Sequence, residues 1–235
     1  MKVSDLKQQR EEHGVIVPAA KSGLLATTSR GGLDAYLAKH DVGDGGKFVK
    51  FGKEGSFIIP SEQDKIIPLD TEFVCPWEDT LGGMQKFNGR GNPPTKHVGP
   101  IVLGYVPPDR ETLGDTDESL WEKGLDGKPQ DPWQHTLALP LLSKETQEKY
   151  IFTTSSLTGR RAVLALLKAA RREKMRSGDD FYPVIKLQTS GFAHRDSRVG
   201  WVKTPAFPIV GKAPKDDYAA ATSSIDADMD DAIPF

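Results

Sequence analysis

The chain has 235 residues, a formal net charge of −2, a hydrophobic content of 37%, 23 glycines and 17 prolines. This composition favours a loop-rich, mainly β protein over a helical bundle. The single cysteine, Cys75, excludes an intrachain disulfide framework and a cysteine-cluster zinc site. No apolar run approaches the roughly 18 residues of a membrane-spanning helix, and the first residues are too polar for a signal peptide, so we expect a cytoplasmic protein.

The first part of the chain has few core signals. Two short charged stretches, residues 4–13 and 33–40, are compatible with short helices, and a segment rich in small residues lies between them. Glycine-rich residues 41–46 follow. We therefore predict that residues 1–46 form a flexible N-terminal arm outside the core.

Strand signals begin at residue 47. Residues 47–51 and 55–60 flank a short turn and predict a β-hairpin. Alternating or continuous apolar stretches predict further strands at residues 65–69, 71–75, 101–106, 136–142 and 150–154. Cys75 lies in one of these stretches and is expected to be a small core residue. Residues 78–99, rich in glycine, asparagine and proline, are predicted to be largely loop, and residues 109–132 a long polar excursion.

One helix is predicted over residues 159–176. Val163, Leu166, Leu167 and Ala170 recur at helical spacing and form one apolar face. Thr158 or Ser156 is the expected N-cap, and Gly178 the expected terminator. Residues 182–189 and 199–210 are predicted to be the last two strands, the second bent or at an edge because it contains two prolines.

These elements predict a mainly β domain over residues 47–212. Short strands, one helix and long loops are typical of an OB-fold-like barrel. A generic α+β sheet with one covering helix is the alternative. Residues 213–235 are small and acidic, and we predict a disordered linker and tail there.

The charge is unevenly distributed. Residues 215–235 hold six aspartates and one lysine, which leaves 30 Lys+Arg against 27 Asp+Glu in residues 1–214. Residues 159–212 alone hold 12 basic and four acidic side chains. A basic body with an acidic tail favours nucleic-acid binding combined with a protein-interaction tail.

Binding of single strands without sequence preference requires cations along the phosphates and aromatic faces for the bases. Residues 194–203 interleave both and predict a hairpin with a basic loop. Trp201 there is either a stacking platform or a core residue, and Phe48 and Phe51 are expected in the core. Trp121 and Trp133 lie among acidic residues and are expected to anchor the excursion. The candidate DNA contacts are Lys47, Lys50, Lys53, Lys86, Phe87, Arg90, Arg160, Arg161, His194, Arg195, Arg198, Trp201 and Lys203.

Motifs of common enzymes are missing from the sequence. It has no phosphate-binding G-x-x-x-x-G-K-[ST] loop, no G-x-S-x-G and no H-E-x-x-H, and its five histidines are scattered. We therefore expect no catalytic residues, cofactor or metal.

The last ten residues, an aspartate-rich run ending in Ile233, Pro234 and Phe235, resemble the C-terminal tip of bacterial single-stranded DNA-binding proteins. In that family the tip is a peptide ligand for replication and repair enzymes. The resemblance implies that Asp228, Asp230, Asp231, Ile233, Pro234 and Phe235 bind partner proteins. Phe235 offers an aromatic ring and a carboxylate to such a partner.

Two stretches of the body, residues 121–133 and 152–162, look like a family of phage-encoded proteins found in bacterial genomes. Together, the two resemblances imply a phage-type single-stranded DNA-binding protein that acts in replication, recombination or repair near the bacterial nucleoid. A phage nuclease carrying the same tip, and an adaptor that mimics the tip without binding DNA, are the alternatives. A homo-oligomer is compatible with each.

Overall fold

The computed structural model describes residues 46–88, 94–123, 127–198 and 200–218. They form a mainly β fold with one α-helix in the described residues, α1 at Leu157–Ser177. The strands are β1 Lys47–Phe51, β2 Phe57–Ile59, β3 Lys65–Ile67, β4 Glu72–Val74, β5 Leu81–Lys86, β6 Thr95–Pro100, β7 Trp133–Ser143, β8 Lys149–Thr154, β9 Phe181–Lys186, β10 Gln188–Ala193, β11 Trp201–Ala206 and β12 Ile209–Pro214.

Ten strands form one curled, half-barrel sheet built around β7. The first half of β7 pairs with β5 and its last two residues pair with β4, while β8 pairs along its other edge. β8 pairs in parallel with β1, and the β1–β2–β3 meander completes that side. Beyond β4 lie β9 and β12. Because β7 is long, it pairs with strands of both halves of the sheet.

Helix α1 covers one face of this sheet and encloses the main core. Val163, Leu166, Leu167 and Ala170 are all buried, as the helical spacing predicted. The Ser156 side chain accepts a hydrogen bond from the Gly159 amide at the N-terminus, and Gly178 ends the helix in the left-handed conformation at φ 73°. Cys75 is fully buried in the same core, as expected.

A second, smaller apolar cluster lies on the opposite face of the sheet. Ala138 and Ile151 are buried there, with Phe48 and Leu81 packed against them. Side chains of β1, β5, β6, β7 and β8 together line a small cavity on this face. Strands as far apart in the sheet order as β1 and β6 can share one cavity because the sheet is curled.

β10 and β11 form a separate two-stranded sheet. It lies against α1 and is joined to the main sheet through the chain at Leu187 and Phe207, both buried. The hairpin predicted over residues 194–203 is confirmed, with a loop from His194 to Gly200.

Three predictions about these elements were wrong. Residues 78–99 hold two strands, β5 and β6, in place of a long loop. The glycines there permit close strand packing, since a Cβ on Gly83 would lie 2.0 Å from the His97 carbonyl oxygen of β6. Residues 101–103 form a 3₁₀ turn ending at Gly104, φ 100°, in place of a strand. The structure has four strands, β9 to β12, where two were predicted. The chain turns between β9 and β10, and it bends at Phe207 and Pro208 before β12.

None of the helices in the described ranges combines the length and apolar character needed to cross a bilayer. Of the predicted N-terminal arm, only Gly46 lies within the described residues. The disordered linker and tail were predicted from residue 213, but Ala213 and Pro214 belong to β12 and Asp216–Tyr218 form a 3₁₀ turn. Residues 219–235 lie outside the described residues.

Candidate nucleic-acid interface

The β10–β11 hairpin ends in a tight polar loop. The His194 amide donates to the Gly200 carbonyl at 2.9 Å, and Gly200 adopts φ 72°. The Asp196 amide donates to His194 Nδ1 at 3.0 Å. Arg198 donates from Nε to Oδ1 of Asp196 and from Nη2 to Oδ2, which raises the pKa of Arg198 and lowers that of Asp196. Arg195 is exposed beside this pair.

Trp201 is the most exposed aromatic residue of this hairpin. Its side chain is 65% exposed, so the core alternative is excluded. The indole lies over Gly191 on the neighbouring strand: a Cβ added to Gly191 would lie 2.4 Å from Trp201 Nε1. The Nε1 side of the indole therefore lies close to Gly191, while most of the side chain remains open to solvent. An exposed indole of this kind is suited to stacking on a base.

The turn of the β1–β2 hairpin contacts the same hairpin face. Lys203, two residues after Trp201 on the same side of β11, donates from Nζ to the Glu54 carbonyl at 2.6 Å. The Thr189 hydroxyl donates to the Gly55 carbonyl at 2.6 Å. Gly55 has φ 83°, and a Cβ there would lie 2.5 Å from Lys203 Cδ. These contacts place Lys53, in the same turn, near Lys203.

We call this surface the two-hairpin face and define it by Lys53, His194, Arg195, Arg198, Trp201 and Lys203. All six side chains are exposed. Lys53 and Arg195 form no ion pair within the described residues. Glu54 and Asp196 are the acidic residues in the two turns, and Asp196 is neutralised by Arg198. The face is therefore a cationic surface around one exposed indole.

Two of the predicted lysines on β1 lie elsewhere. Lys47 forms ion pairs with Glu62 at 2.9 Å and Glu148 at 3.2 Å, which raise its pKa. Lys50 is half-buried, and burial lowers its pKa. Phe48 and Phe51 pack against the two apolar clusters, as expected.

Lys86 and Phe87 lie beside the acidic excursion. Lys86 Nζ is 2.8 Å from Asp115 Oδ2, and Phe87 is half-buried. Asp115 also accepts from Trp133 Nε1 through its carboxylate and from Trp121 Nε1 through its carbonyl. These bonds confirm that Trp121 and Trp133 anchor the excursion.

Arg90 lies outside the described residues, as do the six tip residues from Asp228 to Phe235.

The two arginines at the start of α1 differ in their surroundings. Arg160 Nη1 lies 2.6 Å from His135 Nδ1, and this contact holds the guanidinium against β7. Burial and the Arg160 charge lower the pKa of His135. Arg161 is exposed and lines a groove of 820 Å³ between α1 and the β10–β11 hairpin. Arg161 thus adjoins the opposite side of the hairpin from Trp201.

The remaining chemistry of the described residues is limited. No group of three His, Cys, Asp or Glu residues in these ranges is arranged to hold a metal ion. Burial strongly raises the pKa of the Cys75 thiol, which keeps it protonated and inert.

Sequence reasoning missed Gly191 and the Gly55–Thr189 contact. An isolated glycine inside a strand is a signal for close approach of another group, and Gly191 carries that signal a few residues from the basic loop. The Gly55 contact joins residues 134 positions apart and has no local signal.

A search of known protein families found no model that matches the chain. Neither curated proteins nor solved structures gave a match to it.

Proposed function

We propose that this protein binds single-stranded DNA without strong sequence selectivity and performs no catalysis. The main support for this proposal is Trp201, whose exposed indole lies close to Gly191 within the two-hairpin face. Stacking on such a ring is tolerant of sequence because every base has a π-face. Lys53, Arg195 and Lys203, all exposed, are the proposed contacts for the phosphates beside a stacked base.

The fold supports this proposal at a coarser level. Five neighbouring strands, in the order β6, β5, β7, β8 and β1, belong to the curled sheet and share one small cavity. We propose that they form an OB-like barrel, an architecture that often binds oligonucleotides. The two-hairpin face extends from the meander end of this barrel.

The acidic tail completes the proposal. Residues 228–235 recruit replication, recombination or repair enzymes of the host or phage, with Phe235 as the buried anchor and the aspartates attracting a basic rim. The site of action is the bacterial cytoplasm, at the nucleoid.

The decisive experiment is a fluorescence titration of the full chain with oligo-dT and with a duplex of equal length, across a range of salt. We expect tight binding to the single strand that weakens steeply with salt, because phosphate binding releases counterions. Equal affinity for duplex and single strand contradicts the proposal. Cleavage of labelled single strands in the presence of Mg²⁺ identifies a nuclease, and partner binding without any oligonucleotide binding identifies an adaptor.

Recruitment is tested separately by a pull-down with the full chain and a variant lacking Phe235. We expect the variant to lose its partners almost completely and to keep its DNA affinity, since its aspartates remain. A variant that retains every partner shows that residues 228–235 are only a charged tail.

A further inference from the structure

The second face of the β10–β11 hairpin carries an exposed aromatic residue of its own, Phe192, which is 45% exposed. Phe192 pairs with Val202, whereas Trp201 pairs with Ala193, one position closer to the loop. Successive side chains of a strand point to opposite faces, so Phe192 and Trp201 lie on opposite faces of one two-stranded ribbon. The ribbon thus presents one exposed aromatic side chain on each face beside the same loop.

An open groove lies between the Phe192 face of the hairpin and α1. Its volume is 820 Å³, within the range of about 300–1,000 Å³ that is typical of ligand sites. Phe192 lines the groove on the hairpin side, and Ala162, Ala165 and Ala169 line it on the helix side. Larger side chains on α1 would fill the space between helix and hairpin. The groove therefore stays open, and Phe192 is accessible to a ligand within it.

The polar lining of this groove is suited to a nucleic-acid backbone. Arg161 is the one charged side chain among the described residues that line it, and none of them is acidic. Arg161 is exposed and forms no ion pair in the described ranges. The side chains of Thr158, Ser190 and Thr204 add hydroxyl groups. Arginine and hydroxyl side chains are frequent contacts of phosphates and sugars, so the groove combines such contacts with an aromatic ring.

The walls of the groove and the tip of the hairpin are positively charged. Residues 157–168 of α1 hold three basic and no acidic side chains. The hairpin loop carries Arg195 and Arg198, both exposed, and its aspartate, Asp196, is paired with Arg198. This loop connects the Trp201 face to the Phe192 face. A polyanion that crosses the loop therefore remains beside cations from one face to the other.

We propose that a DNA single strand bound on the two-hairpin face continues around the tip of the β10–β11 hairpin into the groove beside α1. There Phe192 stacks on a second base, and Arg161 neutralises a neighbouring phosphate. Trp201 and Phe192 are thus two subsites for one strand. A strand that reaches both binds more tightly than one that reaches a single subsite, because the second contact forms within the complex. This inference rests on the proposed function and adds the path of the strand to it.

The test compares two lengths of oligo-dT, about 4 and about 16 nucleotides, which span the site sizes common in single-strand binding folds. Affinity is measured by fluorescence anisotropy with the full chain. Phe192→Ala should weaken binding of the long strand by about 5-fold to 100-fold, the range for the stacking of one base. It should leave binding of the short strand nearly unchanged, because the short strand is held at Trp201. Trp201→Ala should weaken binding of both strands.

Matched variants separate stacking from packing. Phe192→Tyr should keep the parent affinity for the long strand because it retains an aromatic ring, whereas Phe192→Leu should lose affinity as Phe192→Ala does. Leu164→Ala, at an exposed apolar side chain outside this groove, should leave both affinities unchanged. Arg161→Ala should flatten the salt dependence of long-strand binding by about one unit. Arg171→Ala, at another exposed arginine of α1, should leave that dependence as it is in the parent.

The outcomes distinguish failure of this inference from failure of the proposed function. A parent protein that binds neither strand overturns both. A parent protein that binds, together with a Phe192→Ala variant that keeps the parent affinity for the long strand, overturns the second subsite alone. An equal loss of affinity for both lengths in Phe192→Ala, or parent affinity in Phe192→Leu, also overturns it, because a second stacking subsite predicts neither result.

Discussion

At the residue scale, the surroundings of a side chain decide its role more than its type does. Trp133 and Trp201 are the first residues of β7 and β11, yet Trp133 is buried with its Nε1 bonded to Asp115, whereas Trp201 is exposed and lies close to Gly191. Likewise Lys86 is paired with Asp115, and Lys53 has no ion pair in the described residues. Exposure and pairing thus select Trp201 and Lys53 as candidates for DNA contact.

Replacing Trp201 with alanine should weaken binding of oligo-dT by about 5-fold to 100-fold, the range for the stacking of one base. The fold should remain stable because the side chain is mostly exposed. Trp201→Phe should recover part of the affinity, since it keeps an aromatic face. Unchanged affinity in Trp201→Ala, measured by fluorescence anisotropy, would place the stacked base elsewhere.

His135 should make the stability of the protein depend on pH below neutrality. Burial, followed by the Arg160 charge, lowers the pKa of His135 in the folded state. The unfolded chain, with a histidine pKa of about 6.5, binds a proton first, so this contribution is complete above that pH and is lost as pH falls towards the folded pKa. We expect the melting temperature of His135→Gln to fall less than that of the parent between pH 7.5 and 5.

His194→Gln is the control for this measurement, because His194 is exposed in the β10–β11 loop. The same pH dependence in the parent and both variants would show that His135 contributes nothing to the effect.

At the element scale, short contacts between elements assemble the candidate site. The β10–β11 hairpin is not part of the main sheet, and the Lys203–Glu54 and Thr189–Gly55 hydrogen bonds connect it to the β1–β2 turn. Helix α1 separates two grooves, one beside this hairpin and one beside Trp77.

Replacing the three cationic side chains of the β10–β11 hairpin tests whether this hairpin contacts DNA. Arg195→Ala, Arg198→Ala and Lys203→Ala together should weaken binding to all sequences and flatten the salt dependence by about one unit for each phosphate that is no longer neutralised. The matched control is Lys65→Ala, Arg172→Ala and Arg176→Ala, the same charge change on other exposed cations. An unchanged slope in the hairpin variant would move the site, with the segment from Lys47 to Lys53 next to be tested.

The start of α1 offers a test of local stability. Ser156→Ala removes the acceptor for the Gly159 amide and should lower the free energy of unfolding by about 1 kcal/mol. For a domain of this size, that is a decrease of about 2–4 °C in melting temperature. Ser155→Ala, the neighbouring exposed serine, should have no measurable effect. Equal melting temperatures in the two variants would show that the cap is not formed in solution.

At the scale of the whole molecule, opposite charges are separated between body and tail. The acidic tail and the cationic two-hairpin face belong to the same chain, so they attract each other over distances set by salt screening. We therefore expect the tail to influence DNA binding as well as partner binding.

Deleting residues 228–235 should leave the melting temperature unchanged, because these residues contribute no part of the described core. It removes three aspartates, so binding to single strands should be as tight as before or slightly tighter, most visibly at low salt. Binding of partner proteins should be abolished. A large drop in melting temperature, or weaker DNA binding at low salt, would contradict this prediction.

Local features of the sequence determined part of this protein directly. The period and cap of α1, the apolar stretch around Cys75 and the basic loop between β10 and β11 depend on neighbouring residues, and their predictions were confirmed. The acidic tail is likewise a property of composition, although its role as a ligand remains a prediction. Such features need no long-range contact to be recognised.

The tertiary structure alone decided which residues can meet a ligand. Residues 78–99 contain β5 and β6 because Gly83 allows β6 to approach β5 closely and because β5 pairs with β7, some fifty residues further along the chain. Lys47 and Lys86 are not part of the two-hairpin face, because each forms an ion pair with a carboxylate far away in the sequence. Trp201 lies close to Gly191, which has no side chain to displace it. These outcomes depend on pairing register and burial, which are long-range properties that local composition does not encode.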